Sequence, residues 1–522
     1  MHFFSDIVNT ISIDWEYILS LSILIFLWLI EHFLIQKSIF KVPPITLHPF
    51  IYSMIRMLIN FLAALFIIFI SNREWLITII CLDSLLSVSL LAYYQYFQRP
   101  LSLFVAIRHV REGLKVFSFA TRLLPWRTSL AFVGILGVKI FLAYSVTQNG
   151  PNQITQLGWL TWLFPLGLLC LLVILLQFTS FRFECIRHAT ITRAIYVYGY
   201  SISWVADFFM ASSIQKAARE EAISQTTTSN RLTATEAPWP VRRNVVIIQV
   251  ESLCYNVLNC TMNDKEVTPF LNQLSRSSRV FKLQAYHEIG TIDMDYALLS
   301  GNQPSRHTVT YSIPDLDYTN ALPHFMRQHG YRTMSLHGVT GEYYNRRANF
   351  ERMGWDEICF REEFKAMQVN ESYWGVRDQE LLNYSIERFK EATRPEFHFI
   401  ITLDSHGPFN LISENEKTIF PGSLNWKANY FNSMASVDSN ISDYVSALPA
   451  GTLLILYGDH SAGVSYQGFT PARDHANEYV PCIVHICPGD GIDPLLTSSE
   501  ESLPDNLNIL DIVGHFRQQV IS

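Results

Sequence analysis

Four apolar runs in the second half of this 522-residue chain each end on a side chain suited to metal or phosphate chemistry. Residues 244–250 (NVVIIQV) lead into Glu251, and residues 331–336 (YRTMSL) into His337. Residues 397–403 (FHFIITL) lead into Asp404, Ser405 and His406, and residues 452–458 (TLLILYG) into Asp459 and His460. Glu251 offers a hard oxygen ligand, and Asp459 with His460 adds adjacent oxygen and nitrogen ligands. Three protein ligands leave a fourth position open, as catalytic metal sites require. Thr291 follows Gly290 and opens the helical stretch IDMDYALLSG, so its hydroxyl sits where backbone N–H groups favour phosphate. Taken singly, each residue has a plainer role. Glu251 would complement a helix dipole, Thr291 would cap a helix, and Asp459 with His460 would be structural. Their convergence is what points to a site.

The elements that must position them follow from the rhythm of the sequence. From Arg242 onward, apolar strand-like runs alternate with helical patterns at 268–278, 320–329, 375–391 and 428–448. That alternation predicts an α/β domain with a central, mostly parallel sheet covered on both faces. Such sheets bind ligands beyond the carboxyl ends of their strands. Asp293 and Asp295, in the first turns after Thr291, read as partners of the helix dipole with no chemistry of their own.

The first half has a different character. Across the whole chain only 16% of residues are charged, against about 25% in soluble proteins, and the mean hydropathy is +0.15, a deficit that is concentrated there. Five segments of about membrane-spanning length are expected at 16–36, 51–71, 74–95, 129–147 and 159–178. The first reads as a retained anchor, not a cleaved signal. Basic residues gather in the loops at 36–50 and 97–128 and just after the fifth segment, which places those loops in the cytoplasm. Five spans leave the C-terminal part inside; a sixth at 194–212, which otherwise lies flat at the interface, returns it to the outside. The expected division is 1–190 transmembrane, 191–241 interfacial helix and linker, and 242–522 catalytic domain. A net charge of −7 with no long basic run outside the membrane loops argues against a nucleic-acid surface.

Eight cysteines show no CxxC or zinc-finger spacing, and free buried thiols are the reading taken here, with one or two disulfides as the alternative. Cys254, three residues past Glu251, is a candidate neighbour of the site. His485, inside the run VPCIVHI, reads as a core histidine, and Asp474 with His475 as a rim pair.

The motifs VESL (250–253), GTIDMDYALLSG (290–301), HG followed by YYNR (337–346), LDSHGPF (403–409) and LYGDH (456–460) resemble the alkaline phosphatase–sulfatase superfamily. They most resemble its membrane-anchored branch, the lipoteichoic acid synthase-like phosphoglycerol transferases. The resemblance implies a single divalent metal, manganese first, with magnesium or zinc as alternatives, held by Glu251, Asp459, His460 and the Thr291 hydroxyl. It implies Thr291 as nucleophile, and His337, Tyr344, Arg346 and His406 as substrate-binding residues, with His406 also protonating the leaving group. Tyr344 stands where the family's synthase has tryptophan. Without the resemblance, Arg346 reads equally as a solvated helix residue beside Arg347.

The implied function is transfer of phosphoglycerol from phosphatidylglycerol to an envelope glycan, glycolipid or polymer, from a bacterial cytoplasmic membrane with the catalytic domain outside. Two alternatives remain open: phosphoethanolamine transfer on the same scaffold, and a non-enzymatic lipid-binding regulator.

Overall fold

In the computed structural model, the ends of four parallel strands lie along one edge of a single sheet. The structure describes residues 15–39, 73–97 and 126–149, positions scattered through 54–67 and 167–220, residues 243–487 except 307, 370, 373, 475 and 476, and residues 507–521. The chain divides into two compact units, residues 1–214 and 215–522.

The first unit holds three long helices: α1 (Trp15–Ile39), α2 (Arg73–Phe97) and α3 (Trp126–Asn149). Within them Ile18–Ile35, Arg73–Tyr94 and Trp126–Gln148 are long and apolar enough to cross a membrane. Leu19, Phe26, Leu82, Val133 and Phe141 face outward, while Leu24, Ile80 and Ala143 pack inward. These helices coincide with the expected segments at 16–36, 74–95 and 129–147. Most of 51–71 and 194–212, and nearly all of 159–178, lie outside the described residues. Between the helices, Lys139 Nζ donates to Glu31 Oε2 (2.5 Å) and Ser84 Oγ (3.0 Å), all buried.

The second unit is an α/β domain. Seven strands run in the order β2-β7-β6-β1-β5-β3-β4. They are β1 (Val245–Val250), β2 (Arg279–Gln284), β3 (Arg332–His337), β4 (Glu357–Cys359), β5 (Glu396–Ile401), β6 (Leu453–Gly458) and β7 (Asn477–Ile486). A further two-residue strand, Arg473–Asp474, pairs with β7. Five strands (β6, β1, β5, β3, β4) are mutually parallel; β7 is antiparallel to both β6 and β2. Every residue of β1, β5 and β6 is buried, which is why these strands read as nearly unbroken apolar runs. The expected α/β domain with a mostly parallel sheet is therefore present. The helices that matter for the site are α4 (Thr291–Ser300) and α5 (Arg346–Met353), with α6 (Asp378–Lys390) behind β5.

The central strand is β1, flanked by β5 and β6. In register, Val250 of β1 lies beside Gly458 of β6, which brings Glu251 and Asp459 to the same edge. A Cβ on Gly458 would fall 2.0 Å from the Leu253 carbonyl oxygen, so only glycine lets the chain after β1 approach β6 so closely.

Candidate active site

The strand ends and the start of α4 build the site. Thr291 Oγ1 donates to Glu251 Oε2 at 2.9 Å and lies 3.5 Å from His460 Nε2. Gly290 precedes it at φ +156°, ψ −154°, a region essentially restricted to glycine. That turn lets the chain swing from its approach into the helix with the Thr291 hydroxyl on the first turn. Asp293 Oδ2 accepts the backbone N–H groups of Glu288, Ile289 and Gly290, which pins the turn.

Glu251, Asp459 and His460 each offer one ligand atom, all mutually within 4.8 Å, and all three are buried. His460 Nε2 is 3.5 Å from both Glu251 Oε1 and Asp459 Oδ2. Asp459 Oδ1 accepts from the N–H groups of Ser252 and His460, but its Oδ2 has no hydrogen-bond partner. Burial, then the neighbouring Glu251, pushes the Asp459 carboxyl up to about 8. Burial pushes Glu251 up as well, yet His406, His460 and hydrogen bonds from Ser252 and Thr291 hold it below its ordinary value. His460 is raised despite burial, by Asp459, Glu251 and Glu478. Two buried carboxylates beside one histidine carry a second negative charge only when a proton or a cation balances it, and a divalent cation would serve. The donor set of two oxygens and one imidazole nitrogen fits manganese, magnesium or zinc.

Three site histidines share one device. His337 Nδ1 meets Ile401 O at 3.1 Å, His406 Nδ1 meets Gly407 O at 2.7 Å, and His460 Nδ1 meets Ser461 O at 3.3 Å. A carbonyl only accepts, so each Nδ1 carries the proton and each Nε2 is left as the chemically active atom. The loop bearing His406 is fixed by Asp378, which takes the N–H groups of Leu403 and Asp404, and by Ser405 Oγ donating to Glu251 O. Against the ring of His406 stands Trp374, with centroids 4.8 Å apart.

The structure also shows how Arg346 is held. It is only 2% exposed, so the solvated-helix reading fails. Its Nε and Nη2 both approach Asp295 Oδ2, at 2.9 and 2.8 Å, and its Nη1 approaches His337 Nε2 at 3.2 Å. Burial, then Arg346, lowers His337 to about 3, keeping it neutral. Tyr344 is half-buried at φ +54°, followed by Asn345 at φ +61°. Two successive left-handed residues are strained backbone at the mouth of α5.

Asp295 is the residue that sequence reasoning missed. Expected as a helix-dipole partner, it is instead fully buried and the counter-ion of Arg346, with Tyr311 donating to its other oxygen at 2.6 Å. His287 was missed too: its ring stacks on His460 at 4.2 Å and 8°, and its Nδ1 is 3.0 Å from Glu478 Oε2. The one available signal was an aspartate one helical turn after Thr291 amid otherwise apolar positions. Cys254 is buried, accepts from the Ala472 N–H and has its thiol pushed up by burial, so it is an inert packing group. His485 bonds Ser278 in the core as expected, and His475 lies outside the described residues.

This arrangement can be set beside known proteins. The family model described as Sulfatase matches residues 243–489, the stretch that holds every strand of the sheet. Residues 243–489 thus form a sulfatase-like domain. Its sequence relatives include the lipoteichoic acid synthase-like YvgJ of Bacillus subtilis, 25% identical over 290 residues, or 52% of this chain and 46% of that protein. They include the lipoteichoic acid synthase of Staphylococcus saprophyticus, 24% identical over 231 residues, or 42% and 36%. The chain thus spans less than half the length of these relatives. Among solved structures, lipooligosaccharide phosphoethanolamine transferase A of Neisseria meningitidis, an integral membrane protein, shares the fold across 96% of this chain and 95% of its own. The identity there is 13% and the TM-score 0.55. The Streptococcus pyogenes phosphoglycerol transferase GacH, solved with sn-glycerol-1-phosphate, covers 59% of this chain and 82% of its own at 16% identity and TM-score 0.44. The resemblance read from the motifs therefore holds for the sulfatase domain, and the three apolar helices make the chain a membrane protein.

Proposed function

We propose that the chain is a phosphotransferase that moves phosphoglycerol from phosphatidylglycerol to an envelope glycan, glycolipid or polymer. The observation that carries this reading is the Thr291 hydroxyl, at the start of a helix and in contact with Glu251 and His460 of the carboxylate–histidine cluster. A divalent cation held by Glu251, Asp459 and His460, manganese by preference, would supply positive charge beside that hydroxyl and the phosphoryl group.

The chain's own residues then divide the work. Thr291 Oγ1, whose proton faces Glu251 Oε2, attacks the phosphorus of the lipid. His406 Nε2 gives a proton to the departing diacylglycerol oxygen, leaving phosphoglycerol on Thr291. The same nitrogen, now neutral, takes the proton of the acceptor hydroxyl as that oxygen displaces Thr291 Oγ1, which recovers from Glu251 Oε2 the proton it gave up on attack. Arg346 Nη1, His337 and Tyr344 line the headgroup side. The apolar helices hold the site beside its lipid donor and shorten the search for it. This assigns the catalytic domain to the outer side of a bacterial cytoplasmic membrane.

A second reading, phosphoethanolamine transfer, draws support from the whole-chain likeness to the Neisseria phosphoethanolamine transferase. A non-enzymatic lipid-binding regulator is disfavoured, because a scaffold free of catalytic demand has no reason to keep a buried cluster of two carboxylates and a histidine beside a threonine hydroxyl. The deciding experiment presents manganese-loaded protein with vesicles of phosphatidylglycerol or phosphatidylethanolamine and measures diacylglycerol release. Release from phosphatidylglycerol alone, absent in Thr291→Ala, is expected. Release from phosphatidylethanolamine alone would replace the donor, and release from neither would remove the transferase reading.

A further inference from the structure

Arginines that bind phosphate usually do so through two parallel N–H groups of one edge. In Arg346, Nε donates to Asp295 Oδ2, while Nη2 lies 2.8 Å from the same oxygen without a hydrogen bond of its own. Asp295 in turn is fixed from its other side by the Tyr311 hydroxyl, and the Tyr311 carbonyl accepts from the side chains of Asn345 and Asn349, on either side of Arg346. Nη1 meets the Nε2 lone pair of His337. Asp295 and Thr291 also lie four residues apart on the same helix, hence on one face, one turn apart. The counter-ion of the arginine is thus built into the element that carries the nucleophile.

We infer that Asp295 is a positioning residue for the transfer proposed above: by accepting from Nε and pairing with the guanidinium it locks Arg346 to the Thr291 helix, with Nη1 turned toward His337. A headgroup oxygen would displace or share the His337 contact. His337 serves as an acceptor, either for Arg346 or for a hydroxyl of the substrate. The inference rests on the transferase reading for its consequence, though the geometry stands apart from it.

The test is a double-mutant cycle with Asp295→Asn, an isosteric change that keeps an oxygen facing Arg346, and Arg346→Gln. Two readouts are taken on manganese-loaded full-length protein: the rate of headgroup transfer onto Thr291, and affinity for sn-glycerol-1-phosphate. Melting temperatures check that each variant folds. D295N is expected to slow transfer about 100-fold, as misplacement by an ångström does. In the R346Q background it should add less than about 3-fold, because coupled residues do not add. Tyr311→Phe should cause a smaller loss in the same direction. An equal loss from D295N in both backgrounds, or no loss in the wild-type background, would overturn the inference. A wild-type protein that binds glycerol phosphate yet accepts no headgroup counts against the transferase reading alone; the cycle is then read on affinity.

Discussion

Two buried charge clusters, one in each unit, solve the same physical problem in opposite ways. In the helical unit, Lys139 meets Glu31 with Ser84 alongside, one cation to one anion, inside three apolar helices. In the sulfatase domain, Glu251 and Asp459 share a buried edge with one histidine, and an Asp459 oxygen has no partner. The first cluster is closed in charge, one cation to one anion, although Glu31 Oε1 also lacks a hydrogen-bond partner; the second is open, two carboxylates to one histidine. Burying charge is costly unless it is paired, so the closed cluster explains itself as helix-to-helix packing. The open cluster bears its second negative charge only if a proton or a cation balances it. That difference separates a structural ion pair from a binding site without appeal to any relative.

The contrast can be broken most sharply at Asp459. Asp459→Asn should weaken manganese binding more than about 100-fold, beyond what loss of an outer-shell partner costs, and abolish transfer. The metal-free protein should meanwhile melt no lower than the parent, because a buried, repelled carboxylate has gone. Calorimetric titration of metal and a melt in chelator check both halves. At the closed cluster the pattern should invert. Lys139→Met strands Glu31 and should destabilise the helical unit by about 3–5 kcal/mol, with metal affinity unchanged. Adding Glu31→Leu should restore most of that loss, read as resistance to unfolding in detergent.

The smallest effect expected is a pH dependence in which the open cluster acts alongside Asp293 and Asp438, raised by burial to about 7 and about 6. Asp459, raised to about 8, holds its proton more tightly folded than unfolded. Without metal, the fold should therefore lose stability as pH climbs from about 4 to about 8. His460, raised above its ordinary value, acts in the same direction as pH rises through its folded value. Glu251, held low, works the opposite way, its contribution being lost only below about pH 4. Melting curves in chelator should thus fall between pH 5 and 8, and the stabilisation added by manganese should grow over that range. A flat profile would mean the cluster is not the strained, metal-seeking site described.

Much of this was legible beforehand because buried parallel strands must be apolar on both faces. The runs expected at 244–250, 331–336, 397–403 and 452–458 became strands within one or two residues, and each delivered its terminal side chain to one edge. The metal cluster followed from that edge. What was hidden depended on partners distant in sequence. Asp295 and Arg346 are 51 residues apart, and nothing local distinguishes a buried counter-ion from a helix-dipole acid. The stacking of His287 on His460 spans a still longer interval and obeys no motif. In the membrane half, hydropathy located α1, α2 and α3. It carries no information about which polar residues face one another, so the Glu31–Lys139 pair was invisible to it.

The central claim is that the Thr291 hydroxyl carries the headgroup between donor and acceptor. Peptide mass spectrometry of full-length protein incubated with manganese and phosphatidylglycerol, without acceptor, tests it most directly. The account predicts a phosphoglycerol adduct on Thr291 that vanishes in Thr291→Ala. Diacylglycerol release with Thr291 unmodified, or an adduct on another residue, would contradict it.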